Sequence, residues 1–108
     1  KTSVQHEIAR CRCEIEQCRL LTLHAAEIMD REGVKAAMAH ISMLKIVAPS
    51  MAQSVADRAI QVFGGMGVCQ DTLIPSVFTT ARFCRIADGP DEVHMSQLGK
   101  LTIRDLVS

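Results

Sequence analysis

Residues 3–32 read SVQHEIARCRCEIEQCRLLTLHAAEIMDRE, and within them Val4, Ile8, Cys11, Ile15, Cys18, Thr22, Ala25 and Met29 recur in alternating steps of four and three. That spacing lays apolar or small side chains along one stripe of an α-helix, the seam by which long helices pack. Leu21 and Ile28 widen the stripe, Thr2 with Gln5 resembles a capping box, and Gly33 stands where a left-handed C-terminal stop belongs. The spacing predicts a first helix from about Ser3 to about Glu32.

A second seam runs Ala37, Ile41, Leu44, Ala48, Met51, Val55, Ala59, Val62 and keeps its phase across Pro49. One long kinked helix is expected; since interior proline costs roughly 3 kcal/mol, two shorter helices are the alternative. Gly64, Gly65 and Gly67 end this segment, Val68 to Ile74 form a short connection, and Pro75 sits at a first helical position. A third helix is predicted from about Pro75 to Ile86. After the interruption Ala87-Asp88-Gly89-Pro90, the acid-rich turn of Asp91 and Glu92 opens a fourth helix, about Pro90 to Val107. No strand-like alternation is present, so the expected fold is all-α, an antiparallel helical bundle.

With 108 residues the chain fits one domain and is short for a complete two-substrate redox enzyme. Twelve basic residues balance twelve acidic ones, and Tyr and Trp are absent, which removes both the field and the stacking surfaces that nucleic acid needs. Neither a secretory start nor a long uncharged apolar run is present, so an intracellular protein without a membrane span is expected. An odd count of five cysteines points to reduced thiols serving mainly as core fillers. The histidines at 6, 24, 40 and 94 lack the spacing of convergent ligands, so no metal site is expected.

Chemistry is expected at two glycine-bearing junctions, Gln61-Val62-Phe63-Gly64-Gly65-Met66-Gly67 and Ile86-Ala87-Asp88-Gly89-Pro90-Asp91-Glu92-Val93-His94. Glycine lets a ligand approach the backbone, and a helix N-terminus favours an anion. On spacing alone, both are more simply a helix stop and a helix start. Arg82 and Arg85 are read first as surface or interface salt-bridge partners, with Asp88 or a phosphate as the alternative. His94 is read as a polar residue of the helix's first turn.

The residues carry more than spacing. Gln61 to Val68, followed by Arg82-Phe83-Cys84-Arg85-Ile86-Ala87-Asp88-Gly89, resembles the paired acyl-CoA dehydrogenase motifs Q-I-x-G-G-x-G-x and A-R-x-x-x-I-Y-E-G-T. Ile15-Glu16-Gln17-Cys18-Arg19-Leu20-Leu21 is similar to the family's I-E-A-A-R-L-L, so the likeness covers nearly the whole chain. The form Ala87-Asp88-Gly89-Pro90-Asp91-Glu92-Val93-His94 is similar to family members ten and eleven and their bacterial relatives.

The resemblance implies an FAD enzyme oxidising the Cα–Cβ bond of an acyl-CoA, with Asp88 as the base that removes the α-proton. It implies that Gly89 keeps the turn open to the thioester. Gln61, Gly64 and Gly65 match residues contacting the adenosine end of FAD bound mainly by a neighbouring subunit, which requires a homo-oligomer, a dimer or tetramer. Pro90, Asp91 and Glu92 occupy positions that approach FAD, with Pro90 replacing a hydroxyl-bearing Thr or Ser. Electrons would pass to an electron-transferring flavoprotein, or to oxygen in an acyl-CoA oxidase. The resemblance further implies a C-terminal helical domain lacking its first helix, an incomplete fragment that by itself neither holds FAD tightly nor turns over. The compartment would be mitochondrion or peroxisome in a eukaryote, cytoplasm in a bacterium. A non-enzymatic bundle binding partner helices is the competing class.

Overall fold

A computed structural model describes residues 2–69, 72–87 and 91–107. Helix α1 spans Thr2–Glu32 and helix α2 spans Val34–Phe63, so the first two seams become helices with nearly the expected bounds. Gly33 alone joins them: its N–H donates to the Met29 carbonyl at 2.9 Å, and φ of 93° with ψ of 172° reverses the chain. That region of backbone space is open essentially to glycine, so Gly33→Ala should destabilise the fold by about 1–3 kcal/mol. Urea unfolding checks this; an unchanged midpoint would contradict the turn geometry.

The result is an αα-hairpin. The His24 and His40 rings meet edge to face at 4.9 Å near the turn. Toward the open end, Arg58 of α2 grips Glu14 of α1 with two parallel bonds of 3.0 and 2.9 Å. It also lies 3.4 Å from Glu7 and donates to the Cys11 sulfur at 3.5 Å. Such a fork fixes register as well as charge pairing.

Helix α2 continues through Pro49 as one element. Lost backbone bonding is tolerated there because packing supplies most helical stability, and α2 is the helix on which everything else packs. After a 3-10 segment, Gly64–Val68, helix α3 covers Ile74–Cys84 and helix α4 covers Asp91–Val107. Both lie against α2. Among the described residues, no close backbone approach links α1 to α3 or α4, nor α3 to α4.

The buried apolar set is small-sided: Cys18, Ala25, Ile28, Ala37, Ala56 and Ala81. Small residues let helix axes come close but bury little area each. Burial pushes the Cys18 thiol above its ordinary value. The expectation that most cysteines fill the core is corrected here: Cys18 alone is buried, Cys11 is half-buried, and Cys13, Cys69 and Cys84 are exposed thiols. Cys13 fails because it stands two residues from Cys11 and so turns off the seam.

The arrangement is open. Its radius of gyration is 16.5 Å, against roughly 13 Å for a compact chain of this length. Its surface of 7656 Å² exceeds the roughly 5,900 Å² of a compact monomer of this mass. Ile8 and Ile15, placed on the first seam, are 64% and 45% exposed. They border a groove of about 690 Å³ between the first half of α1 and the last turns of α2, where Val55, Ala59, Val62 and Phe63 lie opposite. Apolar faces of this extent mark surfaces made to be covered.

Candidate cofactor and catalytic junctions

The first junction is built by the end of α2. Gly64 caps the helix with φ of 61°, its N–H returning to the Ile60 carbonyl. The chain tightens at once into the 3-10 segment, whose Gly67 is buried against the same turn of α2. A Cβ placed on Gly67 would lie 2.6 Å from both the Cα and the carbonyl oxygen of Ile60. Gly64 and Gly65 present the opposite case, with open space where their Cβ atoms would be. Gln61 is exposed on the last turn.

These three residues therefore offer accessible backbone and one amide able both to donate and to accept. None carries charge. The set fits the neutral adenosine end of a dinucleotide better than its pyrophosphate, which would call for cationic or helix N-terminal donors.

At the second junction, Asp88, Gly89 and Pro90 lie outside the described residues. Helix α3 closes with a turn in which the amides of Ile86 and Ala87 both reach the Phe83 carbonyl at 2.9 Å. Helix α4 begins at Asp91, with Asp91 and Glu92 in the first turn, where the helix dipole favours acids.

Across the junction Arg85 Nε donates to Asp91 Oδ2 at 2.8 Å, and Arg85 Nη1 donates to Gln53 Oε1 on α2, also at 2.8 Å. Asp91 is buried, and its other carboxylate oxygen, Oδ1, is sealed from solvent without a hydrogen-bond partner among the described residues. Glu92 is exposed, and Arg82 projects outward. Arg85 is thus in a salt bridge, but a part-buried one within the chain, to Asp91, and not the surface or interface pair expected.

Gln53 was not singled out in the sequence, and nothing in its spacing marks it; only the packing of α3 and α4 against α2 gives it a partner. Gln53 precedes Gln61 by eight positions, ~12 Å along the helix axis. The two junctions thus hang from one helix at different heights.

Residues 1–102 match the acyl-CoA dehydrogenase C-terminal domain, a span that contains both junctions. The chain belongs to the acyl-CoA dehydrogenase family. It is 50% identical over 99 residues to mouse acyl-CoA dehydrogenase family member 10, covering 92% of this chain and 9% of that protein. It is 48% identical over 102 residues to rat acyl-CoA dehydrogenase family member 11, covering 94% of this chain and 13% of the relative. The subgroup read from Ala87 to His94 is therefore upheld.

A Mycobacterium abscessus structure that carries the acyl-CoA dehydrogenase name provisionally superposes with a TM-score of 0.92 at 41% identity, covering 94% of this chain and 25% of its own. The all-α, four-helix architecture is that of the acyl-CoA dehydrogenase C-terminal domain. No helix among the described residues is long and apolar enough to cross a membrane.

Proposed function

We propose that this acyl-CoA dehydrogenase domain supplies the base and part of the FAD site of an enzyme that converts an acyl-CoA to its 2-enoyl-CoA. The observation carrying this reading is the family match across residues 1–102, which takes in Asp88 together with the Gln61–Gly65 junction. FAD, when bound, accepts the β-hydrogen as hydride. Asp88 takes the α-proton, so the substrate loses one proton and one hydride and gains a carbon–carbon double bond.

A carboxylate can deprotonate a carbon acid only if its basicity is raised, which a dry pocket does by disfavouring its charged form. The amide of residue 88 donates to the thioester carbonyl, where negative charge develops as the proton leaves. Gly89 keeps side-chain bulk away from that carbonyl. Pro90 contributes backbone without a hydroxyl, and Glu92 is the first-turn acid open to the cofactor. Asp91 reaches the site through its backbone, its carboxylate being engaged by Arg85.

Gln61, Gly64 and Gly65 contact the adenosine of FAD held by a neighbouring subunit, so the working form is a homo-oligomer. The open apolar faces support association in general and do not by themselves choose this partner.

The test uses the complete protein. It should purify or reconstitute with oxidised flavin, and anaerobic acyl-CoA should bleach that absorbance. A protein left colourless after FAD addition would instead favour a helical interaction module. Reoxidation in air, against reoxidation by an electron-transferring flavoprotein, separates oxidase from dehydrogenase.

A further inference from the structure

We infer that Gly67 is a positioning residue for the adenosine end of FAD: by lying against Ile60 it closes the loop that carries Gln61, Gly64 and Gly65. The inference rests on the reading of those three residues as FAD contacts. Gly67 is buried, and it sits so near the last turn of α2 that an added Cβ would stand 2.6 Å from both the Cα and the carbonyl oxygen of Ile60. The same carbonyl accepts the N–H of Gly64. Ile60 therefore anchors the loop at two points, four and seven residues on, and all three proposed contacts lie between Ile60 and Gly67.

The three glycines of this segment answer three different needs. Gly64 takes φ of 61°, a conformation that side chains disfavour. Gly65 faces open space, which a ligand can use. Gly67 has neither a left-handed backbone nor open space around it, so what it supplies is close approach. A helix that needed only to stop would be served by Gly64. The further contact at Gly67 fixes where the backbone goes after the stop, and that backbone is what the junction offers a ligand. None of the three proposed contacts carries charge, so binding there depends on hydrogen bonds, which weaken steeply as distance and angle depart from their optimum.

The experiment uses the complete protein, stripped of flavin, and titrates it with FAD and separately with FMN, which lacks the adenosine half, following flavin fluorescence while light scattering reports the assembly mass. Gly67→Ala is expected to weaken FAD binding by ~10- to 100-fold, the worth of about two lost hydrogen bonds, with FMN affinity and assembly mass held near the parent values. A role confined to folding would weaken both flavins together. Ile28→Ala, a cavity variant in the buried seam at the turn end of α1, is the destabilised control and should leave the FAD affinity of the folded protein unmoved; where FMN binds too weakly to titrate, this comparison decides. Adding Ile60→Ala to Gly67→Ala should recover none of the loss, because the atoms in the way are backbone.

FAD affinity equal to the parent, equal weakening of FAD and FMN, or a loss no greater than that of Ile28→Ala would overturn the positioning role. Should Gly67→Ala fail to fold, one glycine inserted between residues 65 and 66 decides by the same titrations: it slackens the loop without adding a Cβ and should also weaken FAD selectively, whereas parent affinity would count against the inference. Gln61→Ala and Gly65→Val are run alongside. If both bind FAD as the parent does, the adenosine reading and the role of Gly67 fall together; if they weaken FAD and Gly67→Ala does not, the role of Gly67 falls alone.

Discussion

Asp88→Asn in the complete protein is expected to keep the flavin spectrum and to lose acyl-CoA-dependent bleaching by about 100- to 10,000-fold, the usual worth of a positioned general base. Asparagine matches aspartate in size, so cofactor binding and folding have little reason to change. It cannot accept the α-proton under any working condition, and the next acids along the chain stand in α4. Asp91 is buried against Arg85, and Glu92 lies four residues on, beyond the start of α4.

Bleaching at the parent rate would refute the assignment. Asp88→Glu probes the same position more gently. Aspartate is one methylene shorter than the family's glutamate, a retreat of about 1.5 Å, so lengthening it should shift the preferred acyl length instead of abolishing the reaction.

Gly67→Ala is expected to be the most damaging single substitution for stability in the first junction. The added methyl would have to share space with the Cα and carbonyl of Ile60, each 2.6 Å away, and backbone atoms cannot yield as a flexible side chain would. Either the 3-10 segment lifts off α2 or the last turn of α2 opens. Overpacking of this kind costs roughly 1–3 kcal/mol, and thermal midpoints fall by about 2–4 °C per kcal/mol in domains of 150–250 residues.

Gly65→Ala is the internal control for stability, because its methyl meets open space and should stay within about 0.5 kcal/mol of the parent in flavin-free protein. A Gly67→Ala protein as stable as the parent would show that the segment does not lie against α2. The contrast separates the roles of neighbouring glycines: Gly67 permits close packing, whereas Gly64 and Gly65 leave the backbone open.

Helix positions were legible because they rest on local rules. The 3.5-like recurrence from Val4 to Met29, Gly33 as a stop, Pro75 at the start of α3 and the acidic turn at Asp91 each act within a few residues. The structure returned them with shifts of a residue or two. Pro49 was harder, since a local rule predicts breakage while the preserved seam predicts continuity; packing along all of α2 favours continuity.

The seam also misled in one respect. Ile8 and Ile15 carry the core pattern yet border an open groove, because periodicity says which side of a helix is apolar and nothing of what covers it. The pairing of Arg85 with Asp91 was equally out of reach, since nothing in the spacing marks Asp91 as its partner and only the packing of α3 and α4 against α2 brings the two together.

By itself, then, the sequence determined four helices, their stops, the two glycine junctions and the family to which they belong, because these depend on side-chain order along one strand of chain. Only the tertiary structure decided that α2 carries the other helices and that Gly67 is pinned to Ile60. It alone decided that Gln53, Arg85 and Asp91 meet across the second junction. Those facts depend on distances between residues as many as 32 positions apart, from Gln53 to Arg85, and such distances are set by how helices pack and not by the period within any one of them.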